Sequence, residues 1–161
     1  KPPAEGKAVV YFTRITKYGF AMSLDYFNND KFIGAFKGQN YMRFECEPGE
    51  QIFWLYYPKK IDLIKANLKP GDSYVVIVDV RPDKSQLTPI SIEKEMEFNR
   101  AKDLINKSKP VIFKESDIEK MNVKLSKRIS ETMNIYETQL KNESAILEIK
   151  PEMAIPEESK K

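Results

Sequence analysis

The chain has 161 residues, 41% of them hydrophobic, which is enough to bury the core of one domain without disulfides or metal. Its 27 basic and 24 acidic side chains leave a net charge of +3, far from the basic footprint of a nucleic-acid binder, so no nucleic-acid partner is expected. Histidine is absent, which excludes Ser-His-Asp and Cys-His catalysis and His-ligated zinc.

In chain order, the lead Lys1-Pro2-Pro3-Ala4 lacks a methionine and suits a chain whose export signal has been removed; residues 1–6 read as a linker. Lys7 to Arg14 is a β-branched and aromatic run. Ala21 to Phe27 and Lys31 to Lys37 flank Asn28-Asn29-Asp30, whose side chains tolerate the left-handed backbone of a hairpin turn. Asn40 to Glu45 and Gln51 to Tyr57 flank Pro48-Gly49, and Ile61 to Asn67 and Ser73 to Arg81 flank Pro70-Gly71; Pro-Gly suits a type II turn. Of 18 aromatic residues 15 precede position 81, as do all six glycines, so residues 7–90 are read as one β part. Seven strands with short connections predict an antiparallel seven-stranded β-sandwich-like domain in which Trp54 and Val78 are both buried.

Two strands predict a cover. In Gln51 to Tyr57 the residues Ile52, Trp54 and Tyr56 oppose Phe53, Leu55 and Tyr57, and in Ser73 to Arg81 Val76, Val78 and Val80 oppose Val75 and Ile77. Strands apolar on both faces are covered on both. The cover is expected from residues 91–142. Ser91 to about Lys107 carries a stripe of Met96, Phe98, Ala101, Leu104 and Ile105 that ends before Pro110. A second helix is expected from Ser116, with Glu119 completing a capping box, to about Asn142; its stripe is Ile118, Met121, Leu125, Ile129 and Tyr136. The fold expected is thus mainly β with C-terminal helices (α+β), one sheet face being covered by two helices. A coiled-coil or partner-binding stripe is the other reading of these helices. Residues 143–161, with Pro151 and Pro156 among Glu and Lys, read as a polar tail that frays.

The residues Val9-Val10-Tyr11-Phe12-Thr13-Arg14, Gly34, Tyr41, Pro48-Gly49 and Leu68-Lys69-Pro70-Gly71-Asp72-Ser73-Tyr74 resemble, over about residues 7–82, a bacterial family of envelope lipoproteins known as domain of unknown function 2846. The resemblance implies an exported, lipid-anchored β-rich domain, periplasmic or at the outer membrane. Its lipidated cysteine would lie upstream of Lys1, making that anchor the sole membrane contact. It implies no catalytic residue.

The residues themselves point to little chemistry. No Gly-rich phosphate loop is present, because Gly34-Ala35-Phe36-Lys37-Gly38 lacks the length and the Lys-Ser/Thr of a P-loop. With one cysteine, Cys46, and no histidine, neither a metal site nor an organic cofactor is expected. Asp25 with Asp30, or Asp79 with Asp83, are the carboxylate pairs that could meet for acid-base work, and solvated turn residues are the plainer reading. Trp54, Tyr56 and Tyr57 form the candidate ligand or partner surface, since aromatic rings stack on sugars or bases, although strand aromatics also build cores. No apolar run approaches the roughly 18 residues of a membrane span. The function expected is therefore that of a noncatalytic envelope domain, either contacting another envelope protein or structural; the alternative is a binder of glycans or small apolar ligands through the aromatic strand.

Overall fold

The computed structural model of the chain describes residues 2–16, 23–57, 60–81, 85–143 and 145–156. The fold is mixed α and β. Eight strands come first: β1 (Ala8–Thr13), β2 (Leu24–Asn28), β3 (Lys31–Phe36), β4 (Tyr41–Cys46), β5 (Gly49–Tyr57), β6 (Lys60–Leu68), β7 (Ser73–Val80) and β8 (Ser85–Ile90). Helices α1 (Glu95–Lys107), α2 (Glu115–Lys124) and α3 (Ser126–Ile135), a π-turn (Tyr136–Leu140) and the short strand β9 (Glu148–Ile149) follow.

The strands form two sheets, ordered β4-β1-β7-β8 and β3-β2-β5-β6-β9. Their inner faces meet in one core that includes Val10, Phe12, Tyr26, Phe53, Leu55, Tyr74, Val76 and Val78. The turn chemistry agrees with the expectation from composition. Asn29 has φ of 52° between β2 and β3, and Gly71 has φ of 83° between β6 and β7, a conformation that costs glycine no Cβ clash.

Several expectations are corrected. The described residues hold nine strands in two sheets, not seven. Strand β8 was missed because Pro89 interrupts its β pattern. The Leu87 N–H donates outward to Asp62 Oδ2 at 2.5 Å, so residues 85, 87 and 89 turn their amide positions away from β7, and the proline costs no ladder bond at this edge. The arrangement is not wholly antiparallel either: β1 pairs with β7 in parallel, as does β6 with β9. No helical crossover is needed between β1 and β7, because the strands of the other sheet lie between them in sequence.

The helices do not share one sheet face. Helix α1 sets Phe98 and Ala101 on Val75, Ile77 and Ile90 of the four-stranded sheet. Helix α3, with Leu125 just before it, sets Leu125 and Ile129 on Phe27, Phe32, Ile52, Trp54 and Leu63 of the five-stranded sheet. Each outer face thus has its own cover, which is what apolar residues on both faces of β5 and of β7 demand.

The long helix differs in detail from its sequence pattern. No Ser116 cap forms: Lys114, in extended conformation, precedes the first turn, where Glu115 and Asp117 meet the positive end of the helix dipole. Leu125 leaves helical geometry at φ −99° and ψ 10°, yet its N–H still bonds Met121 and its carbonyl still accepts from Ile129, so the helix bends there without ending. Residues 145–156 do not fray. Ile149 is 1% exposed in the inter-sheet core, Met153 and Ala154 pack against that core, and the Ile155 N–H donates to the Ser73 carbonyl at 2.8 Å. The segment runs from the edge of one sheet to the other and ties them together. Among the described residues no helix is long and apolar enough to cross a membrane.

Candidate functional site

Of the three aromatic residues singled out on β5, Trp54 is 1% exposed. Its ring stacks on Phe27 with centroids 3.8 Å and planes 7° apart, and its indole Nε1–H donates to the Asn29 carbonyl at 2.9 Å. Ring face and polar edge are both engaged inside the protein, under Leu125 and Ile129. Tyr56 is half-buried on the same face, with the Arg128 guanidinium 3.7 Å above its ring centroid. Arg128 in turn lies 3.6 Å from Asp25 Oδ2. Burial pushes the Asp25 carboxyl above the usual aspartate range, against the smaller opposing pull of Arg128 and Lys124. The Tyr57 side chain lies outside the described residues. Trp54 and Tyr56 therefore serve the joint between sheet and helix, and neither opens a stacking platform to solvent.

The other candidate groups are also dispersed. Asp25 lies on β2, three residues before its end at Asn28, and Asp30 in the turn beyond it; at about 3.3 Å per extended residue, the strand alone separates them by on the order of 10 Å. Asp83 lies outside the described residues. The side chains of Asn28 and Asn29 are occupied within the turn: both donate to Gln51 Oε1, and Asn29 Oδ1 accepts the Ile52 N–H at 2.9 Å. Cys46 is buried, and burial together with neighbouring Glu47 pushes its thiol up to about 12, so it stays protonated at neutral pH. Among the described residues no three acidic, cysteine or histidine side chains converge as a metal would need.

A buried charge, named in the sequence only within the first strand run and the family resemblance, lies at the end of β1. Arg14 is 1% exposed, and its Nη1 donates to the Phe36 carbonyl of β3 at 3.0 Å, joining the two sheets. Burial lowers its pKa, while the buried Tyr26 phenol, raised by burial, lies close enough to act on it. Its position ties it to sheet assembly.

Two of the surface grooves are the largest among the described residues. One, of about 680 Å³, lies between the β2–β3 turn and the π-turn and includes Asp30, Glu50, Lys65, Tyr136 and Lys141. Lys65 donates to the Lys141 carbonyl and Lys141 pairs with Glu137 at 3.2 Å, so its cations are engaged internally. The other, of about 490 Å³, runs along the side of the sandwich where β3 ends one sheet and β4 the other. Between these edges lies a short strap, residues 110–113. The Val111 N–H of the strap donates to the Tyr41 carbonyl at 2.9 Å, and the Phe113 ring meets Phe32 edge-on with centroids 5.6 Å apart. The floor is apolar, with Phe32, Ile33, Met42 and Phe44. At its β3 end the Asn122 side chain closes the strand edge, accepting the Phe32 N–H at 2.9 Å and donating to the Phe32 carbonyl at 3.4 Å.

Along this groove one large apolar side chain, Ile112, faces solvent at 83% exposure; Val123 of α2, at 78%, is exposed outside it. Sequence reading passed over the groove because its walls come from residues 28–44 and 110–122. The signal present was the apolar triplet Val111-Ile112-Phe113 between Pro110 and Lys114, too short for any periodicity. No known protein-family model and no curated protein matches this chain.

Proposed function

We propose that this chain is a noncatalytic envelope domain that works by contact with another protein. The observation that carries the reading is the contrast between Trp54, sealed inside, and Ile112, left in water at the rim of an apolar groove. An exposed aliphatic side chain beside an apolar groove suits contact with a partner. The resemblance over residues 7–82 supports export and a lipid anchor upstream of Lys1. The aromatic-strand route to glycan binding finds little support, since Trp54 and Tyr56 pack under α3.

The test is a photo-crosslinking scan in the cells that make the protein, with a photoreactive residue placed singly at Ile92, Met96, Ile112 and Val123, all exposed. A discrete adduct with another envelope protein from at least one position is expected. Its absence from all four sinks the reading.

A further inference from the structure

We infer that the groove between the strap and the β3 and β4 edges takes an extended segment of the partner protein, one that places apolar side chains on the floor and a carboxylate beside Lys31. This inference rests on the interaction reading above and narrows it to one face and one chemistry.

Shape argues for an extended chain. The groove lies between the edges of two packed sheets, a gap of about 10 Å already shared with the strap, whereas a helix with its side chains is about 10–12 Å wide. A flat lipid surface would rest on Ile112 and leave the half-buried Phe44 and Ile118 of the lining untouched. The strap shows the fit from within the molecule: it lies against the β4 edge through the Val111–Tyr41 bond and buries an aromatic ring against Phe32. A partner segment would continue that packing onto the part of the floor the strap leaves open.

Charge argues for an acidic segment. Lys31 and Arg43 are the charged residues lining the groove, both cationic. Arg43 is held by Glu45 at 3.7 Å and donates to the Pro2 carbonyl, whereas Lys31 is exposed at the start of β3, and Lys109 and Lys114 bracket the strap. Asn122 already satisfies both backbone groups of Phe32, so recognition here runs through side-chain packing and charge, with no added backbone ladder at that residue.

The test uses the full chain as bait for random peptides displayed on phage, counter-selected against the Ile112→Glu variant. Selected peptides are then synthesised, labelled and titrated by fluorescence anisotropy. Alternating apolar residues with Asp or Glu are expected among them, with binding weakened about tenfold or more by Ile112→Glu and by Lys31→Glu. Both positions are exposed, so unchanged thermal melting of the variants separates lost binding from lost fold. Selection of basic peptides, affinity indifferent to both substitutions, or no peptide selected at all would overturn the inference. So would binding to phosphatidylglycerol vesicles, but not to phosphatidylcholine vesicles, that Ile112→Glu abolishes while no peptide binds. A crosslinked adduct at Ile92, Met96 or Val123, with none at Ile112, would end this inference and leave the interaction reading standing; no adduct at any position would end both.

Discussion

The two outer faces of the sandwich meet the same requirement, exclusion of water from an apolar sheet, with different materials. The five-stranded sheet offers a slab of stacked rings, Phe27 on Trp54 with Phe32 beside them, and closes it with a long bent helix through Leu125 and Ile129. The four-stranded sheet offers the branched side chains Val75, Ile77 and Ile90 and closes them with α1, whose contact residues are Phe98 and the fully buried Ala101. Rings fill volume, so their cover can stand off and touch with long aliphatic side chains. Branched side chains make a lower surface, so their cover must come close, and alanine permits it. Polar anchors are also denser on the ring side, where Asn122 bonds Phe32, Trp54 bonds Asn29, and Arg128 sits over Tyr56.

The largest expected effect is on the ring side. Trp54→Ala removes the stack and the Asn29 bond together and is expected to cost about 3–5 kcal/mol in urea unfolding. Phe98→Ala should cost less, because Phe98 borders a small surface slot with Tyr11, Val75 and Ile105 into which neighbours can settle. The reverse order would break the contrast between the faces. Next comes Leu125→Ala at the bend of the long helix, with an expected loss of about 2–5 kcal/mol in the same measurement. A loss well below 1 kcal/mol would mean that the bent helix rests on the sheet without holding it.

Ala101→Leu sharpens the comparison from the other side. If close approach defines the branched face, the larger residue should destabilise by about 1–3 kcal/mol in thermal unfolding, while a gain in stability would show slack beneath α1. The smallest effect concerns Asp25. Its carboxyl is held above the usual range by burial, so the folded state binds this proton more tightly than the unfolded chain. The stability it contributes is complete below the ordinary aspartate pKa and is lost as pH rises through the raised value. Asp25→Asn lacks that loss, so its stability relative to the parent should improve from acid toward neutral pH, by under about 1 kcal/mol given the competing ion pair with Arg128. Parallel pH profiles for the two proteins would show that the ion pair cancels the effect of burial, and a reversed slope that it outweighs it.

Much of this contrast was legible in the chain, and for identifiable reasons. Pro48-Gly49, Pro70-Gly71 and Asn29-Asp30 mark tight turns by local chemistry, so the strands beside them could be read directly. The need for a cover was visible in Trp54 and Val75, whose strands have no polar face. What local pattern does not carry is pairing at a distance. Nothing in Val9-Val10-Tyr11 announces a parallel neighbour at Tyr74-Val75, and nothing in Glu148-Ile149 announces that a charged tail will add a strand to β6. The groove was hidden for the same reason. Lys31, Met42 and Ile112 become one surface only when the sheet edges and the strap are brought together, and their individual side chains look ordinary.

The place of β1 has a consequence for the order of events during synthesis. β1 is the first strand to be made, yet it occupies an interior position between β4 and β7, and its parallel register with β7 joins residues 9–13 to residues 73–77. The hairpins β2–β3 and β5–β6 close over a few residues and can form as soon as they emerge, and β1 can pair with β4 once residues 41–46 are made, while its other edge waits for β7. Loop closure over some sixty residues falls on that step, which makes docking of β7 beside β1 the slow event in refolding. Until then Val9, Val10 and Phe12 have no cover, so a nascent chain halted before residue 73 should be the form most prone to aggregate.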